Sequence, residues 1–500
     1  MYSSAAGIYQ PLAFSGNIID CRVEDPGFAW RRMEPRWELI EALIGGTLMM
    51  QAAGRRWLPQ EPKESDDSYK ARLARSVCPP YYQRLEQMLA GMINRKPVRL
   101  DNVNEVITEH LFDTDLQGND LNVFSYDLAR KTLRYGHCGV LVDFPRGDEN
   151  AQGDRPYWLT YTPRDILGWR TDILNGSQKL TQLRLREQVV APYESGNGYG
   201  EQIIEQIRVL EPGSFQLFRK TPSKGGDYEL IAEGPTTLDE IPFAVAYGNR
   251  VGQLESTPPL EEVAFLNLQA YRVGSDLSNQ LHIAAVPRFH LYGVPAELDE
   301  ITAGPDSAMA LPVDARAEFV EPQGTSYQYQ FQQLDAIRDQ INQLGLAAIL
   351  GQKNVAESGL AKSMDRSQGD SALMTVALGI QDTIDNCLKF HAAYLGISNP
   401  GNSMVNTDFV SQRIEPGHAA ELMKLWQSGA ITQETLLIQL ADGEWLYDDF
   451  SVDGELEATA AQQQARLEAQ EAQLQGAINE LPTAPANDSQ EANNGDNEDA

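Results

Sequence analysis

Apolar residues recur at helical spacing over the first quarter of the chain, at strand-like spacing through its middle, and at helical spacing again in its second half. From Trp30 to about Gly136 the pattern predicts helices. Trp37, Ile40, Glu41 and Ile44 share one side of a segment ending near Gly45-Gly46, and Tyr82, Leu85, Leu89 and Met92 mark another that stops before Pro97. Between them the prolines of WLPQEPKESDDSYKARLARS interrupt the helical pattern, and Ser65 or Ser68 can start the next helix.

From Tyr157 to about Gly248 short runs bounded by Gly, Pro, Asn and Asp replace that pattern. Tyr157–Thr162, Leu180–Leu185, Gln202–Leu210, Phe215–Phe218 and Ile241–Tyr247 are the expected strands, and Arg164–Trp169 can add another strand or a turn. Turns are expected at Asn175-Gly176, Gly196–Gly200 and Gly225-Gly226-Asp227, giving an antiparallel region of five or six strands.

Pro258-Pro259-Leu260 then opens a helix, with Glu261-Glu262 at the positive end of its dipole, running to about His282. Some 24 residues would span about 36 Å. Short β segments follow at Arg288–Gly293 and Ala317–Pro322. Two heptad-like helices come next. Leu334, Ile337, Ile341, Leu344 and Ala348 form one seam, and Leu373, Ala377, Ile380, Ile384, Cys387 and His391 form the other, each expected to pack along a helical neighbour. The segment between them, GQKNVAESGLAKSMDRSQG at Gly351–Gly369, has no sustained apolar face and is expected to be a loop or a weak helix.

Near the C-terminus, Ala419, Leu422, Met423 and Trp426 give a short amphipathic helix that Gly429 can end in a left-handed cap. Thr432 can cap a second helix carrying Leu436, Leu437 and Leu440, which Gly443 closes. Two helices joined so closely must pack on each other, as a helical hairpin. Residues 456–481 form a polar Ala/Gln/Glu helix with Leu467, Leu474, Ile478 and Leu481 as sparse anchors. Beyond Pro482 the chain has no apolar residue larger than alanine and is expected to be disordered.

Composition narrows the function classes. At 500 residues with 42% hydrophobic content, two to four domains with sizeable cores are expected. The net charge of −31 argues against a broad phosphate-gripping surface. The charge is also uneven. Residues 1–100 carry 14 Lys/Arg against 11 Asp/Glu, whereas residues 425–500 carry Arg466 alone against 16 acidic residues. An acidic tail of this kind serves solubility, or repels DNA from a surface it must slide past. The N-terminus has no basic start or apolar core, and no uncharged apolar run of about 18 residues occurs, so a soluble cytoplasmic product without a membrane span is expected.

Catalytic motifs are missing from the sequence. Cys21, Cys78, Cys138 and Cys387 form no C-x-x-C pair, which fits a reducing compartment rather than a disulfide framework or zinc site. No phosphate loop or G-x-S-x-G elbow occurs, and Gly196–Gly200 is better read as a hairpin turn. The histidines His110, His137, His282, His290, His391 and His418 contain no H-x-x-x-H pair and are expected to be structural, and the Asp66-Asp67 and Asp448-Asp449 pairs are solvated turns. No catalytic, cofactor-binding or metal site is expected. The polar segment at 351–369 has two readings. It is a surface connector, or a loop presented into a channel where Gln352, Lys353, Asn354, Ser358, Lys362 and Ser363 touch passing DNA weakly, each contact multiplied around a ring.

The order of segments resembles the portal proteins of tailed bacteriophages over roughly residues 30–480. Trp37–Pro59 followed by Tyr69-Lys70-Ala71-Arg72-Leu73 is similar to the helical opening of one portal subgroup. Pro156-Tyr157-Trp158, Asp165–Arg170 and Ile241-Pro242-Phe243 resemble its β-rich middle, and Pro258-Pro259-Leu260 through Tyr271-Arg272-Val273-Gly274-Ser275-Asp276 resembles the helix that follows. The stretch Pro416–Gln462, with its SGAIT turn and DGEWLYDDF, resembles the portal C-terminal part.

The resemblance implies an α+β, mainly helical portal-like fold with a β-rich middle region, long stem-like helices and a helical C-terminal crown. It implies an N-terminal arm (1–29), a helical wing-like domain (30–150), a β-rich wing or clip-like domain (151–250), stem-like helices (251–395) enclosing the tunnel loop, a crown-like domain (396–481) and an acidic tail (482–500). The implied assembly is a homo-oligomeric ring of twelve at one capsid vertex, in the virion and, during assembly, in the host cytoplasm. Its implied partners are the terminase large subunit, a head-tail adaptor, major capsid and scaffolding proteins, and double-stranded DNA passing non-specifically through the tunnel. Catalysis in such a system belongs to the terminase. Acidity leaves the DNA contacts of Lys353 and Lys362 open, and a non-portal virion structural or adaptor protein, or a hydrolase with a scattered site, stays as a rival.

Overall fold

A computed structural model describes residues 22–144, 154–174, 176–193, 199–220, 227–285, 288–293, 313–320, 325–350, 372–407, 409, 416–442, 445–446 and 450–479. The chain divides into two compact units, residues 1–409 and 410–500.

The first unit opens with α1 (Phe28–Ile44), α2 (Gly46–Ala53), α3 (Asp66–Arg75) and α4 (Tyr81–Ile93), then a short strand β1 (Arg99–Asp101), α5 (Glu105–His110) and α6 (Leu121–Tyr135). The capping residues explain the breaks. The side chains of Ser65, Asn104 and Asp120 accept from the backbone N–H groups of Ser68, Val106 and Val123 at 3.2, 3.0 and 2.8 Å, starting α3, α5 and α6. Of the two serines that can begin α3, Ser65 is the one that does. Its replacement by alanine is expected to cost about 1 kcal/mol, read as a shift in the denaturation midpoint.

Strands β2 (His137–Asp143), β3 (Tyr157–Tyr161), β4 (Ile166–Leu174), β5 (Ser177–Pro192), β6 (Glu201–Glu211), β7 (Ser214–Lys220), β8 (Tyr228–Pro235) and β9 (Phe243–Tyr247) form two antiparallel sheets. One is a five-stranded meander, β4-β5-β6-β7-β8, and the other is three-stranded, β3-β2-β9. A small hairpin, β10 (Arg250–Gly252) with β11 (Glu255–Ser256), follows. The three-stranded sheet is covered on both faces. Cys138, Val140, Val142, Trp158, Ala244 and Ala246 belong to the core shared with the helices, while Leu141, Tyr161 and Phe243 join Leu183, Leu185, Leu210 and Phe215 of the meander. Helices, small sheet and larger sheet therefore stack as three layers.

After this come α7 (Glu261–Ala284), the hairpin β12 (Arg288–Tyr292) and β13 (Arg316–Val320), α8 (Thr325–Leu350), α9 (Ala372–Leu395) and β14 (Asn402–Met404), which pairs with β1. α8 packs along α7, as its heptad spacing predicts. α9 has the helical neighbours its spacing predicts, α6 and α8, but lies most extensively on β9, with β2 and β14 also against it. The cause is the breadth of its apolar face. Val376, Thr383, Leu388 and Ala392 are buried beside the six seam residues. Gly379 permits the close approach, since a Cβ there would sit 2.9 Å from the Tyr247 carbonyl oxygen.

The second unit contains α10 (Pro416–Gln427), α11 (Gln433–Asp442) and α12 (Val452–Asn479). Gly429 has φ +75°, and the N–H of Ala430 reaches back to the Leu425 carbonyl at 2.9 Å, the left-handed ending expected there. Thr432 caps α11 by accepting from the Thr435 N–H at 3.1 Å. The α10–α11 packing buries Ala419 and Leu436 but leaves Met423 and Trp426 exposed, so the predicted apolar face of α10 is covered along only part of its length. Gly443 lies outside the described residues.

Candidate functional site: a two-helix finger and its root

α7, the β12–β13 hairpin and α8 form one continuous excursion from the body of the first unit: a helix out, an antiparallel turn-back, and a helix returning beside the first. Two long helices that pack on each other need only one buried stripe each. The rest of their surface is free to face solvent or a partner. Along α7 the buried residues Val263, Ala264, Asn267, Leu268, Ala270, Tyr271, Ser275 and Leu277 stop at Leu277, and Leu281 and Ile283 in the last turns are exposed. α8 mirrors this. Ile337, Ile341 and Gly345 are buried near the body, while Tyr329 and Phe331 towards the hairpin are 74% and 50% exposed. The end of the finger towards the hairpin thus presents Leu281, Ile283, Tyr329 and Phe331 to its surroundings.

The root of the finger is fixed by polar contacts of unusual density. The Arg72 guanidinium, almost wholly buried on α3, forms two 2.8 Å hydrogen bonds to the Glu64 carboxylate and a third, at 2.9 Å, to the Pro59 carbonyl. It also stands 3.6 Å from the Asp276 carboxylate on α7. Ser76 and Ser275 share a 2.7 Å hydroxyl contact, and Arg75 donates to Asn279 at 2.8 Å. Asn267 accepts from the Tyr82 N–H at 2.8 Å and donates to the Pro79 carbonyl at 2.9 Å, while Arg36 pairs with Glu261 at 2.8 Å and Arg272 donates to the Trp57 carbonyl at 2.9 Å. Hydrogen bonding to Arg72 holds the Glu64 carboxyl below the usual range, whereas burial pushes that of Asp276 up. α7 is therefore clamped to α1, α3 and α4 and the segments between them.

These contacts unite two stretches that the sequence presents far apart, Tyr69–Leu73 and Tyr271–Asp276. Linear spacing contains no signal that they meet. The six polar positions proposed for DNA contact, Gln352, Lys353, Asn354, Ser358, Lys362 and Ser363, lie outside the described residues. What is described are the helices on either side, α8 and α9, which pack against each other.

The remaining chemistry is that of a core. Cys78, Cys138 and Cys387 are free and buried, with burial raising the Cys78 thiol to about 11, the Cys138 thiol to about 12 and the Cys387 thiol well above its ordinary value, so all three are poor nucleophiles near neutrality. Cys21 lies outside the described residues. His137, fully buried, has its Nδ1 2.7 Å from the Ser256 hydroxyl, and burial pulls its pKa down to about 3. Among the described residues no group of three His, Cys, Asp or Glu side chains could hold a metal ion, and no helix is long and apolar enough to cross a membrane.

A family model described as "Domain of unknown function (DUF4055)" matches residues 259–395, from the start of α7 through the end of α9. No curated protein matches the chain. Among solved structures, a chain in the neck of a native gene transfer agent particle, computed with C12 symmetry, is similar at 11% identity and a TM-score of 0.38, covering 78% of this chain and 98% of that one. A chain in the virion of the native gene transfer agent gives 12% identity and a TM-score of 0.38, with the same coverage. One in the neck of the empty particle, computed with C6 symmetry, gives 12% and 0.39, covering 79% of this chain and 98% of that one.

Proposed function

We propose that this chain is the subunit of a portal ring, a structural protein that surrounds a channel for double-stranded DNA at one vertex of a virion. The observation that carries the reading is the finger: two long helices joined through a β hairpin, clamped at the root and carrying exposed Leu281, Ile283, Tyr329 and Phe331 towards the hairpin. In this reading α7 and α8 are the stem, the β12–β13 hairpin stands in the clip position, and the second unit is the crown. The segment between α8 and α9 is the tunnel loop, and the protein docks the terminase and a head-tail adaptor without catalysing a reaction. Of the two places open to it, wing or clip, the β-rich region 151–250 takes the wing and leaves the clip position to the hairpin, because a tip between two stem helices extends the stem.

Exposed aromatics on a rigid helical pair are suited to burial between adjacent copies in a closed ring. Negative-stain microscopy with mass measurement tests this. Rings of about twelve copies with an open axial channel are expected, and the double variant Tyr329→Asp/Phe331→Asp is expected to abolish them while leaving the far-ultraviolet circular dichroism unchanged. A closed, compact dimer without a channel would refute the portal reading. Rings unaffected by the double variant would remove the finger from the subunit contact.

A further inference from the structure

Two histidines that no proposed function uses meet in the core beneath α9. His391, in the penultimate turn of α9, is 1% exposed, and its Nε2 lies 3.0 Å from Nδ1 of His110 at the end of α5. On its other side, the indole N–H of Trp158 on β3 donates to His391 Nδ1 at 3.2 Å. Because an indole nitrogen can only donate, His391 Nδ1 must accept. The neutral ring then carries its hydrogen on Nε2 and donates it to His110, whose own hydrogen sits on Nε2. The three groups form one directional chain in which each nitrogen facing a donor needs its lone pair.

A proton added to either accepting nitrogen sets two N–H groups against each other. The surrounding charges do not relieve this. Arg155 donates to the His110 carbonyl and the Asp113 carboxylate, both at 3.0 Å, placing a cation beside the pair. Glu109 on α5 favours the charged form of His110 but is exposed. On the other elements against α9, Asp143 of β2 is held by Arg208, Asp127 of α6 by Lys131, Arg130 and Arg134 of α6 by Glu86 of α4, and Asp385 of α9 itself accepts from Ser403. Burial first, then His110 and Arg155, pull the His391 pKa down to about 3, and burial lowers that of His110.

We propose that the Trp158–His391–His110 chain is an acid-release latch, which holds the C-terminal half of α9 against α5 and β3 at neutral pH and lets it go when either histidine is protonated. The sign follows from linkage. A ring kept neutral in the closed state but titrating near 6.5 when released stabilises the closed state fully above about pH 6.5, and that stability is lost as pH falls below it. Between pH 7 and pH 5 the open-to-closed ratio rises about 25-fold for each such ring. The latch stands independently of the ring reading.

Hydrogen exchange of the full chain, read by mass spectrometry and corrected for intrinsic exchange rates, tests it. Peptides over residues 385–395 and 105–110 are expected to lose protection by about 25-fold or more between pH 7 and pH 5, while peptides over 263–277 at the finger root keep theirs. The double variant His110→Gln/His391→Gln, which removes both titrating rings, is expected to abolish the difference. Unchanged protection in the unaltered protein, or an equal loss in the double variant, overturns the latch. Slow exchange of the histidine ring C2 hydrogens gives each pKa in the unaltered protein, whether or not the variant folds. Values below 5 for His391 support the proposal, and values near 6.5 refute it.

Discussion

Arg72→Met is expected to lower the stability of the first unit by about 3–5 kcal/mol, because it removes one member of a buried ion pair and leaves the other without a partner. Methionine fills much of the arginine volume, so the loss reports charge rather than a cavity. In the variant the Glu64 carboxylate loses both guanidinium hydrogen bonds, the Pro59 carbonyl loses its donor, and Asp276 on α7 loses the nearest cation. Denaturant midpoints followed by circular dichroism give the size of the effect. The double variant Arg72→Met/Glu64→Met, which takes away both charges, is expected to recover most of the stability. If the single variant behaves like the parent, the pair is not what holds the finger's root. Because Glu64 is held below the usual carboxyl range, its contribution is present above its unfolded pKa and fades as pH falls through the folded value.

Such a cluster shows where reading the chain reaches its limit. The 24 residues of α7, the left-handed Gly429 and the caps at Ser65 and Thr432 were all legible, because each follows from a local rule acting over a few residues. β2 carries no strand period in its sequence. It is buried on both sides, between helices and the five-stranded sheet, so its apolar residues run on without alternation directly after a helix. β5 extends well beyond Leu180–Leu185 because its length is set by pairing with β6, down to Pro192 opposite Glu201, rather than by its own pattern. β8 carries the exposed Leu230 and Ile231 side by side at a sheet edge, which blurs its period. At the candidate site, the spacing of α8 named its buried stripe, but the joining of Arg72 to Ser275 and Asp276 depends on chain closure across some two hundred residues, and no spacing rule reaches that far. The same holds for His110 and His391, each read alone as structural, whose shared chain of hydrogen bonds exists only once α9 has docked.

Trp158→Ala is expected to be the most damaging single truncation near α9, at about 3–5 kcal/mol for emptying a fully buried aromatic site. Trp158 is completely buried, meets the Phe124 ring edge-on at 5.6 Å and belongs to the core shared by helices and small sheet. Much of that loss is packing, so a second substitution isolates the hydrogen bond. Trp158→Phe retains an aromatic ring but removes the indole donor to His391 Nδ1, and is expected to cost about 1–3 kcal/mol at pH 7 by leaving a buried acceptor unsatisfied. It also removes the group that opposes protonation at that nitrogen, so the His391 pKa is expected to rise towards the ordinary histidine value and the loss of stability on acidification to become shallower than in the parent. Denaturation midpoints at pH 7 and pH 5, set beside the histidine ring exchange of the same variant, separate the two effects. A Trp158→Phe protein that keeps the parent's pH slope and the parent's His391 titration would mean that burial alone, and not the indole donor, keeps this histidine neutral.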